Sequence, residues 1–245
     1  MFPIRDHNPA TRQPWVTMAL IAVNIGLFLA YFPFLTNPVQ EYAYYSSWGI
    51  VPREIMAGRG WPGLATSMFL HGGWMHLLGN MLFLWVFADN LEEELGHLGF
   101  LGFYLACGVA AGLVHVWAEP ASLQPAVGAS GAIAGVMGGY LLLFPRAKVD
   151  VLLYFIIFFR IIPVPAWIVL GIWFALQVFN GTAVSAAEAG VAYWEHIGGF
   201  VAGIVVMLPA WIGRGGRAFW ARSAGAPPHP EAVYTRSAVP VVRRR

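Results

Sequence analysis

Residues 194–212 read Trp194-Glu-His196-Ile-Gly-Gly199-Phe-Val-Ala-Gly203-Ile-Val-Val-Met-Leu-Pro-Ala-Trp-Ile212. Beyond one acid and one histidine at its start, the run is apolar to its end. At about 1.5 Å of rise per residue, about 20 such residues cross the roughly 30 Å of bilayer hydrocarbon. Backbone groups in that layer must bond to each other, so the stretch reads as a membrane-spanning helix. Five more segments read the same way: 15–32, 72–88, 97–117, 126–144 and 165–179. Composition agrees. The chain is 58% hydrophobic and 11% charged, where a soluble domain carries about 25% charged residues; its mean hydropathy is +0.64. The fold class is an all-α membrane protein, a bundle of six transmembrane helices. With Cys107 as the single cysteine, no intramolecular disulfide can form, and its place in an apolar stretch assigns it to packing.

The chain divides into a short arm (1–13), a membrane domain (14–212) and a basic tail (213–245). Arg214, Arg217, Arg222, Arg236, Arg243, Arg244 and Arg245 face one acid in that tail, Glu231, among several prolines. The tail reads as disordered and membrane-proximal, suited to anionic lipid head groups, with no nucleic-acid fold beside it. Arg5 and Arg12 precede the first span, and Arg146 and Lys148 follow the fourth. With six spans, all these cations fall on one side, so both termini are expected in the cytoplasm of a multi-pass protein of the cell (inner) membrane. The first span reads as an uncleaved signal anchor, since Phe32-Pro33-Phe34 stands where a cleavage site would be. Residues 149–162 are apolar but too short to span, and read as re-entrant or interfacial.

Polar residues inside spans are costly and face the bundle interior. His76 and Asn80 lie four apart on one face of span two. Span four opens with Gly128-Ala129-Ser130-Gly131, and span six with Glu195-His196. Spans two, four and six all run inward from the external face, so these side chains converge on one depth. Gly131 and Gly135 on span four, and Gly199 and Gly203 on span six, form stripes that let two backbones approach. If the stripes meet, Ser130 reaches the His196 imidazole, the core of an activated serine nucleophile. The helix start at Ser130 turns free N–H groups toward a developing oxyanion, and His76 and Asn80 can add donors. Taken singly, an intramembrane Ser, His or Asn is more often a packing or bridging residue. Glu195 points about 100° away from His196 on a helix and is not read as a triad acid. His71 reads as a mouth residue, and His97 and His115 as interfacial ends of span three. No His-Glu-x-x-His or paired intramembrane aspartates occur, so no metal or cofactor is expected.

At His71-Gly-Gly-Trp-Met-His76-Leu-Leu-Gly-Asn80, Gly128-Ala-Ser130-Gly131 and His196-Ile-Gly-Gly199-Phe-Val-Ala-Gly203, the chain closely resembles the rhomboid family of intramembrane serine proteases. The resemblance runs from Pro14 to about Ile212. It implies a rhomboid-like six-helix bundle with Ser130 as nucleophile and His196 as general base, without a triad acid. It also implies an oxyanion hole of His76, Asn80 and the Ser130 backbone N–H, structural glycines at 128, 131, 199 and 203, transmembrane protein substrates, and lateral substrate entry beside span five. The chain departs from some members in two places. Trp48-Gly-Ile-Val-Pro-Arg53 stands where they have a Trp-Arg pair, and Ala134 stands where they set an aromatic ring against the base. Two rival readings are a non-catalytic, client-binding relative and a small transporter. Against the first, both Ser130 and His196 are present; against the second, the polar residues cluster at one depth.

Overall fold

The computed structural model describes residues 2–8, 10–155, 158–183, 190–223 and 225. Helix α1 (Trp15–Tyr31) begins directly after Pro14. It buries Thr17, Leu20, Asn24, Phe28 and Tyr31, one stripe at three- and four-residue spacing, and turns Val23, Leu27 and Leu29 outward. Its unbonded first N–H groups are met by another helix: the Glu92 carboxylate accepts from Val16 N and Thr17 N at 2.8 Å each and from Thr17 Oγ1 at 2.7 Å. A buried carboxylate at a helix N-terminus satisfies orphan donors and the helix dipole together.

The connection from α1 holds α2 (Pro38–Trp48), α3 (Pro52–Met56) and α4 (Gly63–Thr66). It is tied to the segment before the fourth span: Ile50 and Ala126 exchange backbone hydrogen bonds at 2.9 and 2.8 Å, and Gly128 N donates to Ser67 O at 2.9 Å. Helix α5 (Trp74–Leu95) and helix α6 (His97–Ala118) are joined by Gly96, whose φ of +71° favours glycine. Helix α7 (Ser130–Leu143) is short, with 14 residues, and almost every one is buried. Helix α8 (Ala166–Ala183) buries only Ala166, Val169, Leu170 and Gln177. Helix α9 (Tyr193–Gly213) packs along α7.

Among the described residues, four helices (α1 with its extension to Phe34, α6, α8 and α9) are long and apolar enough to cross a membrane. The other two expected spans are α5, whose inner end carries Asp89 and Glu92 to Glu94, and the short α7. α7 sits at the centre, against α5, α6, α8 and α9.

The segment 149–162, expected to be re-entrant or interfacial, takes the form of strands. It forms a hairpin of β2 (Lys148–Phe155) and β3 (Phe158–Pro165), and β1 (Phe2–Asp6) adds a third antiparallel strand in the order β1-β2-β3. A short apolar run rich in branched residues fits strand as well as helix, and a pairing partner decides it. The partner comes from the N-terminal arm, where Arg5 and His7 reach Asp150 at 2.8 and 2.6 Å. Against the upward push of burial, those two bonds hold the Asp150 carboxyl below its ordinary range. The start of the tail departs from the expected disorder as well. Helix α10 (Arg217–Ser223) folds back on the bundle, with Trp220 Nε1 donating to Leu142 O at 2.9 Å. The tail beyond Gly225, with four of its seven arginines, lies outside the described residues.

Candidate active site

The starts of α5, α7 and α9 meet at the end of the bundle away from the sheet. They line a cavity of about 880 Å³ that holds His76, Asn80, Ser130 and His196. Ser130 occupies the first turn of α7, and the residues before it are pinned by the α2–α4 connection, which fixes where the helix begins. His196 lies one turn into α9. Its Nε2 is 2.9 Å from Ser130 Oγ.

Glycine makes that distance possible. A Cβ added to Gly199 would strike the Gly131 carbonyl oxygen, and one added to Gly203 would strike that of Gly135. The two backbones are therefore in direct contact, as the stripes predicted. Gly131 also leaves room for Glu195, whose Cγ and Oε1 lie 2.9 Å from where a Gly131 Cβ would be. Glu195 is thus directed toward α7, and the other nitrogen of His196 has a different partner.

That partner is Gln177 on α8, whose Oε1 lies 2.9 Å from His196 Nδ1. The Trp173 indole lies beside the imidazole with centroids 5.8 Å apart. With Ala134 in place of a ring, the His196 imidazole is contacted by these two α8 side chains, which the sequence pattern did not single out. The available signal was a glutamine within an apolar helix, a residue that needs a reason to be there.

His76 and Asn80 both line the cavity. Gly72 N donates to His76 Nδ1 at 3.3 Å, so in a neutral ring the hydrogen sits on Nε2. That Nε2 faces Gly128, where an added Cβ would come within 2.8 Å of it and 3.4 Å of Ser130 Oγ. Gly128, at φ +138°, therefore keeps open a space between a ring donor and the serine hydroxyl. Asn80 Nδ2 donates to His76 O at 2.9 Å, leaving the second N–H of the amide for the cavity.

The other histidines separate. His71 is buried ahead of α5, with its backbone O accepting from Tyr31 and Tyr45 hydroxyls at 2.9 and 3.1 Å. His97 contacts Glu92 at 2.6 Å at the opposite end of the bundle. His115 departs from an interfacial role: it is buried and lines the cavity.

The Rhomboid domain model matches residues 58–212, from between α3 and α4 to the end of α9. The chain belongs to the rhomboid family. It is an integral membrane protein with the all-α bundle of that family, and a small three-stranded sheet stands beside the bundle. It is 29% identical to "Rhomboid protein 1, mitochondrial" of Saccharomyces cerevisiae over 192 residues, 76% of this chain and 51% of that protein. It is 32% identical to "Rhomboid-like protein 11, chloroplastic" of Arabidopsis thaliana over 117 residues, 48% of this chain and 38% of that one. Over 95 residues it is 35% identical to "Rhomboid protease GluP" of Bacillus subtilis, 39% of this chain and 18% of that one. This rhomboid spans about half or less of the length of these relatives.

Proposed function

We propose that this rhomboid is an intramembrane serine endopeptidase that cuts membrane-protein substrates in or near their transmembrane segments. The observation that carries the reading is the 2.9 Å separation of Ser130 Oγ and His196 Nε2 inside a cavity among membrane helices. The Ser130 hydroxyl adds to the scissile carbonyl as His196 Nε2 takes its proton. The carbonyl oxygen, now negative, sits in the space kept open by Gly128. It accepts from His76 Nε2, the Asn80 amide and the Ser130 backbone N–H, one of the helix N–H groups without an intrahelical acceptor. His196 returns the proton to the leaving amine, and water hydrolyses the acyl-serine by the same route in reverse. The substrate presents an extended stretch, because a helical peptide shields its carbonyls.

In this reading both ends of the chain lie in the cytoplasm, the site opens toward the opposite face of the cell membrane, and the basic tail lies on anionic lipid. The test is reaction of the full chain with a fluorophosphonate probe. Wild type is expected to label, while Ser130→Ala and His196→Ala do not. Equal labelling of all three would place the reactive nucleophile elsewhere and sink the Ser130–His196 assignment, and no labelling of any would leave a non-catalytic, client-binding rhomboid as the better reading.

A further inference from the structure

We propose that Gln177 is a positioning residue that sets the tautomer of His196, so that the base faces Ser130 with a free lone pair. The inference rests on the Ser130–His196 reading above and adds a third member held by a different helix.

The hydrogen-bond donors and acceptors leave one consistent assignment. Gln177 is buried, although most of α8 around it is not, and a buried amide needs partners for both ends. Its Nε2 lies 3.2 Å from the Trp173 carbonyl oxygen, four residues earlier. A carbonyl can only accept, so the NH2 end of the amide belongs there. The Oε1 end then faces His196 Nδ1 at 2.9 Å. An amide oxygen also only accepts, so Nδ1 carries the ring hydrogen. In a neutral imidazole Nε2 is then unprotonated, and Nε2 is the atom 2.9 Å from Ser130 Oγ. Flipping the amide would set two acceptors against each other at Trp173. The hydrogen-bond chain thus runs in one direction, from the Ser130 hydroxyl through His196 and Gln177 to a backbone carbonyl of α8.

A neutral acceptor orients the ring without supplying the charge of a carboxylate. Its effect is that of one ordinary hydrogen bond, about tenfold in rate. The backbones of Ser130 and His196 belong to the welded pair α7 and α9, whereas the orienting groups, Gln177 and Trp173, belong to α8.

The test uses the full chain, labelled with 15N-histidine in lipid nanodiscs, with two readouts. One is the pair of ring nitrogen shifts of His196, and the other is the rate of fluorophosphonate labelling. Wild type is expected to show a protonated Nδ1 and an unprotonated Nε2. In Gln177→Met the tautomers should mix and labelling should slow about tenfold. Gln177→Glu, which keeps an acceptor at that place, should restore the Nδ1-protonated ring and bring labelling back to within about threefold of wild type. Gln177→Asn, too short to reach, should behave like Gln177→Met and serves if the latter does not fold. Unchanged shifts and rate in the Met or Asn variant would overturn the proposal, and so would slowing that Glu does not rescue. Ser130→Ala separates the two readings: if it still labels, the dyad itself is wrong whatever Gln177 does.

Discussion

Gly203 lies so close to Gly135 that a Cβ on Gly203 would strike the Gly135 carbonyl oxygen, with the α-carbon of Gly135 2.7 Å away. The obstacle is backbone, which cannot rotate aside as a flexible side chain can. Gly203→Ala must therefore push α9 away from α7. The expected cost is about 1–3 kcal/mol of stability, read as a lower thermal midpoint in detergent. Fluorophosphonate labelling should fall further than the lost fold accounts for, because the same shift separates Ser130 from His196. An Ala variant with wild-type midpoint and labelling would show that the helices are less tightly coupled than their geometry requires.

Gly128→Ala tests the opposite kind of vacancy. Its Cβ would stand 2.8 Å from His76 Nε2, in space the proposed oxyanion needs, on a backbone at φ +138°. Strain of about 1–3 kcal/mol is expected, with labelling abolished in the fraction that remains folded. Retained labelling at a normal rate would move the oxyanion elsewhere.

Asn80→Ala removes one donor from the cavity while sparing the dyad. Turnover of a model transmembrane substrate should drop about ten- to a hundredfold, since one Asn80 N–H is already committed to the His76 carbonyl. The thermal midpoint should change little. An unchanged turnover would remove Asn80 from the reaction.

The N-terminal arm carries a pH dependence of its own. Burial, reinforced by the charge of nearby Asp89, raises Asp6 to about 8, against the hydrogen bond it accepts from Tyr140 at 2.8 Å. A carboxyl raised above its unfolded value near 4 contributes stability that is complete below about pH 4 and lost as pH rises through about 8. The thermal midpoint should therefore fall between pH 7 and pH 9, and Asp6→Asn should flatten that fall. An Asn variant with the same slope would place the titration elsewhere.

Much of this architecture was legible in the chain. Four of the expected spans (15–32, 97–117, 165–179 and 194–212) coincide with helices long and apolar enough to cross a membrane, because long apolar runs have few alternatives once lipid is the solvent. Helices also stand at 72–88 and 126–144, the first running on to Leu95 and the second starting only at Ser130. The meeting of Ser130 with His196 was legible too, since glycine stripes on two helices imply close backbones. Three features were not. The hairpin at 148–165 depends on a partner strand about 145 residues away in the chain, and its own pattern fits either helix or strand. In the sequence Glu92 is one acid among several just past the second expected span, and only the packing shows it capping α1. Gln177 meets His196 across helices 19 residues apart in the chain, and no local pattern announces such a pairing.

The pairing of Phe2–Asp6 with the 148–155 strand also bears on the order of assembly. A ribosome adding about 5–20 residues per second takes about 7–30 s to reach residue 150 after residue 5 has been made. Throughout that interval β1 has no strand to join, while α1 to α7 are already being delivered to the bilayer. Closing the sheet is thus among the later events of biogenesis. A mutation or fusion that blocks residues 2–6 should leave early insertion intact and be felt when the newly made hairpin finds no edge to receive it.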